Sequence, residues 1–321
     1  MGNEKFLTNF VNFDEEQLNV DKKNGIICID SSQLTTQYLD FTSKFSIQGI
    51  PLFLKDVYFE IGEESAAIFE VAISKIMNEC GVNSIPYFPV FKKVKNGKLL
   101  LCSFSQDIHS LKNLIVTPGN CSFWFDKPMK KRLIVDQIHN NEWYFLEIPE
   151  IKNYLLNFMT EECFEQLIDQ CLIDELVGQN DRHLTNYFFF KFDNSEKLEG
   201  IISYDNALTW IFESKAYNEK DKIGFDNNLA YFVYRTYSKK SNTGLTTRGS
   251  YADRVNKICE FFDKGLIGER QANLIKKYIE SDIVSKLQKE ANRCETPISP
   301  AVIDLYARVT EYLEQNLQRQ L

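Results

Sequence analysis

Two stretches decide how this chain is read: Leu176-Val-Gly-Gln-Asn-Asp-Arg-His-Leu-Thr-Asn-Tyr-Phe-Phe-Phe190 and Ile201-Ile-Ser-Tyr-Asp-Asn-Ala207. Between apolar runs they collect Asn180, Asp181, Arg182, His183, Thr185 and Asn186, then Asp205 and Asn206, which a plain connecting loop has no structural reason to do. The residues before them, Thr160 to Val177, place Phe164, Leu167, Ile168, Cys171, Leu172 and Leu176 at the spacing of a helix with one buried face. Thr160 suits its N-cap, Glu161 and Glu162 suit the positive end of its dipole, and Gly178 suits its stop. Beyond the loop, Tyr187 to Phe192 reads as a strand, Asp193-Asn-Ser195 as a turn and Gly200 to Tyr204 as the returning strand. Asp181 is then expected on a loop anchored by a helix and a hairpin, with Asp205 leaving the same hairpin beside it.

An Asp, an Asn five residues later and a second Asp at the end of the next strand pair form an arrangement that orients a hydroxyl nucleophile and holds Mg²⁺ on nucleotide phosphates. Taken singly these residues carry little. An Asn-Asp pair after a helix is usually a turn, and a lone His183 is usually a satisfied structural histidine. The convergence of two carboxylates with Asn186 outweighs those readings.

The segment GQNDRHLTN, with Asp205 nineteen residues after Asn186, resembles the catalytic and metal-binding loops of the HipA-like kinases, including the CtkA-type bacterial kinases. It also resembles the DRHxxN loop of phosphatidylinositol 3- and 4-kinases. The resemblance implies that Asp181 is the catalytic base or orienting carboxylate, Asn186 a metal ligand and Asp205 the second metal ligand. Arg182 and His183 would shape the loop. The lipid kinases usually follow the last Asp with Phe-Gly, whereas this chain has Asn206-Ala207, a departure that favours the HipA-like side.

Length and composition agree with an enzyme of two subdomains. A chain of 321 residues, 44% apolar and 26% charged, can bury a large core and exceeds one compact unit. The net charge of −8 disfavours non-specific binding to nucleic acid, whose phosphates demand a positive surface. Eight cysteines include no CxxC pair, several lie in apolar contexts, and free thiols in a reducing cytoplasm are expected. No basic-then-apolar leader opens the chain and no apolar run approaches the ~18 residues of a membrane span. Cytoplasmic localisation is therefore the expectation, with leaderless secretion left open.

The first 105 residues read as β-rich, with strands over Gly25 to Ile29, Gln37 to Ile47, Leu52 to Phe59, Phe88 to Val94 and Lys98 to Ser103, and an Asn96-Gly97 hairpin turn between the last two. One helix interrupts them from Glu63 to Cys80, ended by Gly81. This predicts an α+β, two-lobed protein-kinase-like fold: a nucleotide-binding N-lobe over 1–105 and a mainly helical C-lobe over 106–321 carrying the catalytic and metal-binding loops. A nucleotide-binding sheet of this kind calls for a strand lysine paired with a helix glutamate. Lys55 and Glu70 are the candidates, with Glu63 or Glu64 as alternative partners. The segment expected to cover ATP phosphates, Asp30 to Gln37, lacks the glycine such a loop normally contains, so Ser31, Ser32 and Gln33 would donate instead. The crossing between lobes, where backbone would meet the adenine edge, is expected near Leu101-Cys-Ser103-Phe104.

Residues 107 to 157, with Trp124 and Trp143, suggest a small insertion to which no function attaches. Helical spacing returns over Tyr251 to Phe262, Gly268 to Ile279, Asp282 to Arg293 and Pro300 to Leu317. Ser214 to Gly249, polar and basic, sits where a kinase carries a substrate-facing or activation segment, although such stretches are more often surface loops. The resemblance covers residues 30 to 210, and the tail agrees only in type. It implies a HipA-like Ser/Thr protein kinase using ATP and Mg²⁺, a protein substrate with a Ser/Thr acceptor, and a toxin-like role with an antitoxin or regulatory partner. A phosphoinositide kinase and a nucleotide-binding pseudokinase module are the alternatives.

Overall fold

The computed structural model describes residues 10, 21–34, 36–38, 42–56, 65–111, 114–118, 152–153, 155–177, 179, 186–192, 194–206, 251–298 and 300–317. Its elements are β1 (Lys22–Lys23), β2 (Ile26–Asp30), β3 (Thr36–Tyr38), β4 (Thr42–Ile47), β5 (Ile50–Lys55), α1 (Ser65–Cys80), β6 (Phe88–Lys93), β7 (Leu99–Gln106), β8 (Leu114–Pro118), α2 (Glu161–Val177), β9 (Tyr187–Phe192), β10 (Gly200–Ser203), α3 (Tyr251–Asp263), α4 (Glu269–Glu280), α5 (Ile283–Arg293) and α6 (Pro300–Leu317). The class is α+β. Two compact units divide the chain. The stretches Asp205–Ala207 and Ser281–Ala307 group with the N-terminal residues up to Lys112, and the rest forms the second unit.

The first unit is built on a seven-stranded sheet in the order β1-β2-β6-β7-β5-β4-β3. Only the β2–β6 pair is parallel. Local chemistry sets the turns. Asn24-Gly25 and Gln48-Gly49 join β1 to β2 and β4 to β5 with both central residues at positive φ, the backbone of a type I′ hairpin. The expected Asn96-Gly97 hairpin is present, with the Gly97 N–H donating to the Val94 carbonyl at 2.8 Å. The single strand expected over Gln37 to Ile47 is instead two, β3 and β4, paired antiparallel from Thr36–Lys44 to Tyr38–Thr42. A run of continuous β character with no glycine gives no local mark of where a hairpin bends.

Alternation decides the sheet's faces. Ile27, Ile29, Phe45, Ile47, Leu52, Leu54, Val90, Cys102 and Phe104 form one apolar cluster, with Phe88 stacked on Phe104. Helix α1 packs against β6 and β7. Its residues Ala67, Ile68, Val71, Ala72, Ile76 and Met77, the expected apolar set, are all buried. It ends in a Schellman motif: the Val82 N–H reaches the Met77 carbonyl at 2.8 Å and Gly81 takes φ +91°. Helix α5 lies along α1, tied by Lys75 to Glu290 and by Lys286 to Glu79 at 2.9 Å, while Tyr306 of α6 meets Phe69.

The second unit holds a three-stranded antiparallel sheet, β10-β9-β8, packed by α2. The expected Thr160 cap is made, the Cys163 N–H donating to Thr160 Oγ1 at 3.1 Å. The single buried face expected of α2 is corrected, since every residue from Gln166 to Val177 is buried. Partners meet much of the polar side. Arg270 of α4 reaches Asp169 at 2.7 Å, Gln271 reaches the other Asp169 oxygen at 2.9 Å, and the Tyr187 hydroxyl donates to Asp174 at 3.2 Å. Gly200 is required where it stands, because a Cβ there would collide with the Phe190 ring and the Gln166 amide oxygen. The seven described cysteines are all free thiols. No described helix is long and apolar enough to cross a membrane.

Candidate functional site

Strand β5 ends on Lys55, and its alternation points Leu52 and Leu54 into the apolar cluster while Lys55 takes the other face. Lys55 Nζ donates to Glu70 Oε2 at 3.0 Å and also to Asp205 Oδ1. Glu70 lies in the middle of α1, wholly buried. Its second oxygen is also used, accepting the backbone N–H of Asn206 at 2.8 Å. Glu63 and Glu64, the alternative partners for Lys55, lie outside the described residues.

Burial dominates the electrostatics here. It raises the Glu70 carboxyl above its ordinary value, with the nearby Lys55 charge opposing and the Asp205 charge reinforcing the shift. Burial likewise pushes the Tyr87 phenol up, with the Glu70 charge acting in the same direction. One ammonium thus faces two carboxylates in a partly dry setting. An incoming group of high negative charge finds a cation already in position, and the partly exposed Asp205 carboxylate competes with it for that cation unless a metal ion takes the carboxylate.

Asp205 has a left-handed backbone, φ +61°, a conformation Asp tolerates better than most residues. The following residue holds it there from two sides. Besides the bond to Glu70, the Asn206 side-chain N–H donates to Ser84 Oγ at 2.9 Å. Ser84 is fixed in turn by Asn78, whose Oδ1 accepts the Ser84 N–H at 3.1 Å and whose Nδ2 donates to the Ser84 carbonyl at 2.9 Å. In the sequence Asn206 stands out as a polar residue of the deciding stretch without an assigned role, and Ser84 and Asn78 do not stand out. The available signal was polar residues inside the otherwise apolar run from Ile76 to Tyr87, and Asn206 standing where lipid kinases have Phe.

Other expected site residues fall elsewhere. Ser31, Ser32 and Gln33 form a 3₁₀ turn after β2, three strands away from β5 in the sheet order. Two of the three close on the chain itself: Ser32 donates twice to Asp30 Oδ1, at 2.9 and 2.7 Å, and Gln33 Oε1 accepts the Asp30 N–H at 2.9 Å. Ser32 and Gln33 line a cavity of about 780 Å³ with Phe45, Ile47 and Lys93, and Lys55, Glu70 and Asp205 are not among its walls. The structure does not bring this turn to the lysine. Ser103 pairs with Lys55 across the β5–β7 ladder and is fully buried, its hydroxyl without a hydrogen-bond partner among the described residues. Leu101 to Phe104 is strand interior, not a crossing, because Leu52 gives Gln106 a partner and β7 continues to it.

Asn186 belongs to the second unit, is buried at the start of β9, and its carbonyl accepts the Tyr204 N–H at 3.2 Å. Asp181, Arg182 and His183 lie outside the described residues, as do Gly178, Trp124, Trp143 and the segment from Ser214 to Gly249.

No protein-family model matches the chain, and no curated protein sequence matches it. Among solved structures it is similar to the Helicobacter pylori proinflammatory kinase CtkA, with a TM-score of 0.53 at 13% identity over 90% of this chain and 94% of that one. This chain has a CtkA-like fold. A looser likeness, TM-score 0.44 at 12% identity, links 99% of the chain to 71% of a chain in the Shewanella oneidensis MR-1 complex of HipA, HipB and operator DNA.

Proposed function

We propose that this chain is an ATP-dependent phosphotransferase, a HipA-like Ser/Thr protein kinase of two lobes. The observation that carries the reading is Lys55 held between Glu70 and Asp205 on a CtkA-like fold. A buried glutamate keeps the ammonium extended, so that phosphate oxygens meet a cation whose position is already set. In this reading Lys55 binds the α and β phosphates, and Asp181 orients the acceptor hydroxyl and takes its proton as the phosphoryl group moves. Arg182 and His183 shape that loop, and Ser103 lines the nucleotide side of the sheet.

Mg²⁺ suits the remaining donors. Asp205 and Asn186 offer hard oxygen atoms of the kind Mg²⁺ takes. A sparse oxygen set is what Mg²⁺ uses when substrate phosphates complete its shell. Asp205 and Asn186 would hold it, and when bound with ATP it supplies neutralisation of phosphate charge.

The acceptor, and the antitoxin or regulatory partner, rest on the sequence resemblance. Incubating the full chain with γ-labelled ATP, Mg²⁺ and either cell lysate or phosphoinositide vesicles tests the reading. Label in protein Ser or Thr supports it, and label in lipid makes the chain a phosphoinositide kinase. ATP binding without transfer to any acceptor makes it a nucleotide-binding module.

A further inference from the structure

Asp205 is useful to a metal only if its carboxylate is presented at a fixed place, and its own backbone works against that. A non-glycine residue at φ +61° sits in a minor well and relaxes unless its neighbours over-determine it. Two hydrogen bonds from Asn206, wholly buried itself, supply the constraint. The backbone N–H goes to Glu70 at 2.8 Å, in the middle of α1, and the side-chain amide goes to Ser84 Oγ at 2.9 Å, in the segment after α1. That segment is itself pinned to the last turn of the helix: Asn78 Nδ2 bridges the Ser74 and Ser84 carbonyls at 2.9 Å each, and the Tyr87 N–H reaches Ser74 Oγ at 3.3 Å. Asn206 is therefore tied to α1 directly at Glu70 and, through Ser84, to Asn78 about two helical turns further along.

We propose that Asn206 is a positioning residue, its amide anchored on Ser84, that fixes Asp205 in the left-handed conformation presenting its carboxylate to the phosphate-bound metal; this rests on the kinase reading above. A polar anchor is an unusual choice for a buried position. An apolar side chain would pack there without fixing direction, whereas an amide bonded to a hydroxyl is satisfied in one orientation only. Ser84 accepts from Asn206 because its own hydroxyl proton is directed at the Ile85 carbonyl, 3.4 Å away. Hydrogen bonds one residue removed from a ligand typically govern metal affinity by tenfold or more.

The test compares wild type, Ser84→Ala, Ser84→Thr and Asn206→Leu as full chains. Calorimetry measures ATP affinity with and without Mg²⁺, and amide hydrogen exchange without nucleotide follows the Asn206 N–H and the amides of β7. Ser84→Ala and Asn206→Leu should each reduce the Mg²⁺-dependent tightening of ATP about tenfold. Metal-free affinity should stay at the wild-type level, and Ser84→Thr should behave as wild type. In Ser84→Ala the Asn206 amide should exchange faster while β7 keeps its protection, the sign of a local release. Unchanged tightening in both Ser84→Ala and Asn206→Leu overturns the proposal, as does loss of tightening that comes with equal loss of β7 protection. Absence of any Mg²⁺ effect in the wild type instead overturns the kinase reading itself.

Discussion

Lys55 Nζ lies 3.0 Å from Glu70 Oε2, and Glu70 has no exposed surface. Truncating the lysine would strand a carboxylate that cannot hydrate. Breaking a buried pair from one side costs about 3 kcal/mol or more, so Lys55→Met should lower unfolding free energy by that order at neutral pH. The pH dependence has a definite sign. Burial already raises the Glu70 carboxyl, so the folded state binds that proton more tightly than the unfolded chain. The Glu70 contribution is thus most favourable in acid and declines as pH rises, and removing Lys55 widens the effect. The deficit of Lys55→Met should shrink between pH 8 and pH 5. Adding Glu70→Gln should recover most of it, because the amide oxygen still accepts the Asn206 N–H. Urea unfolding of wild type and the two variants checks this, and a double variant no more stable than Lys55→Met would count against the buried carboxylate as the cause.

Asp205 and a phosphate group compete for one ammonium. Asp205→Ala should therefore leave metal-free ATP binding as tight as in wild type, or tighter, because a negative charge beside Lys55 has gone. The tightening caused by Mg²⁺ should disappear with the ligand. Calorimetry at two Mg²⁺ concentrations separates the two effects. An undiminished Mg²⁺ response would move the metal elsewhere.

Where neighbouring residues carry the signal, the fold is readable from sequence. Helix α1, the hairpin at Asn96-Gly97, strand β9 and the tail helices follow from spacing and turn residues, and Lys55 with Glu70 follows from a strand lysine facing a buried helix glutamate. What was not legible depends on long-range pairing. Asp30 to Gln37 reads as polar and suited to phosphate, but Ser32 and Gln33 are spent on a local capping turn with Asp30, and only the sheet order shows β2 to be three strands from β5. The grouping of Ser281–Ala307 with the first unit goes with the packing of α5 on α1, more than two hundred residues apart in sequence, which no local pattern announces. The pairing of Asn206 with Ser84 was illegible for the same reason, since an Asn and a Ser become an anchor only once the fold brings them to 2.9 Å.

Asp282 caps α5, the helix that backs α1, accepting the Ser285 N–H at 3.0 Å. Its side chain also accepts the Ser285 hydroxyl at 2.6 Å, and these bonds hold its carboxyl below the ordinary value. Asp282→Ala should cost about 1 kcal/mol, the usual worth of an N-cap. Asp282→Asn should cost less, because it keeps an acceptor and tolerates φ +49°. A lowered carboxyl contributes stability above its unfolded value of 3.8 and loses it as pH falls through the folded one, so the gap between wild type and Asp282→Ala should be constant from pH 8 to 5 and close below 3.8. Denaturant midpoints across that range measure it. A gap that persists at pH 2.5 would assign the loss to backbone strain at a left-handed position.

Asp181 separates a transferring enzyme from a nucleotide-binding module more directly than any other position. In the proposed reading it touches neither the metal nor the ATP phosphates, so Asp181→Asn should keep nucleotide affinity and its Mg²⁺ dependence. An amide can still accept a hydrogen bond from the acceptor hydroxyl, but it cannot take the proton. Transfer should fall on the order of a hundredfold or more, the usual size of a lost general base. The loss should appear in kcat with KM for ATP near the wild-type value, because the interaction matters only as the phosphoryl group moves. Two outcomes would count against the assignment. Transfer within a few fold of wild type would show that another group orients the acceptor. A parallel loss of ATP affinity would place Asp181 on the nucleotide or its metal, leaving the acceptor side of the site without its base.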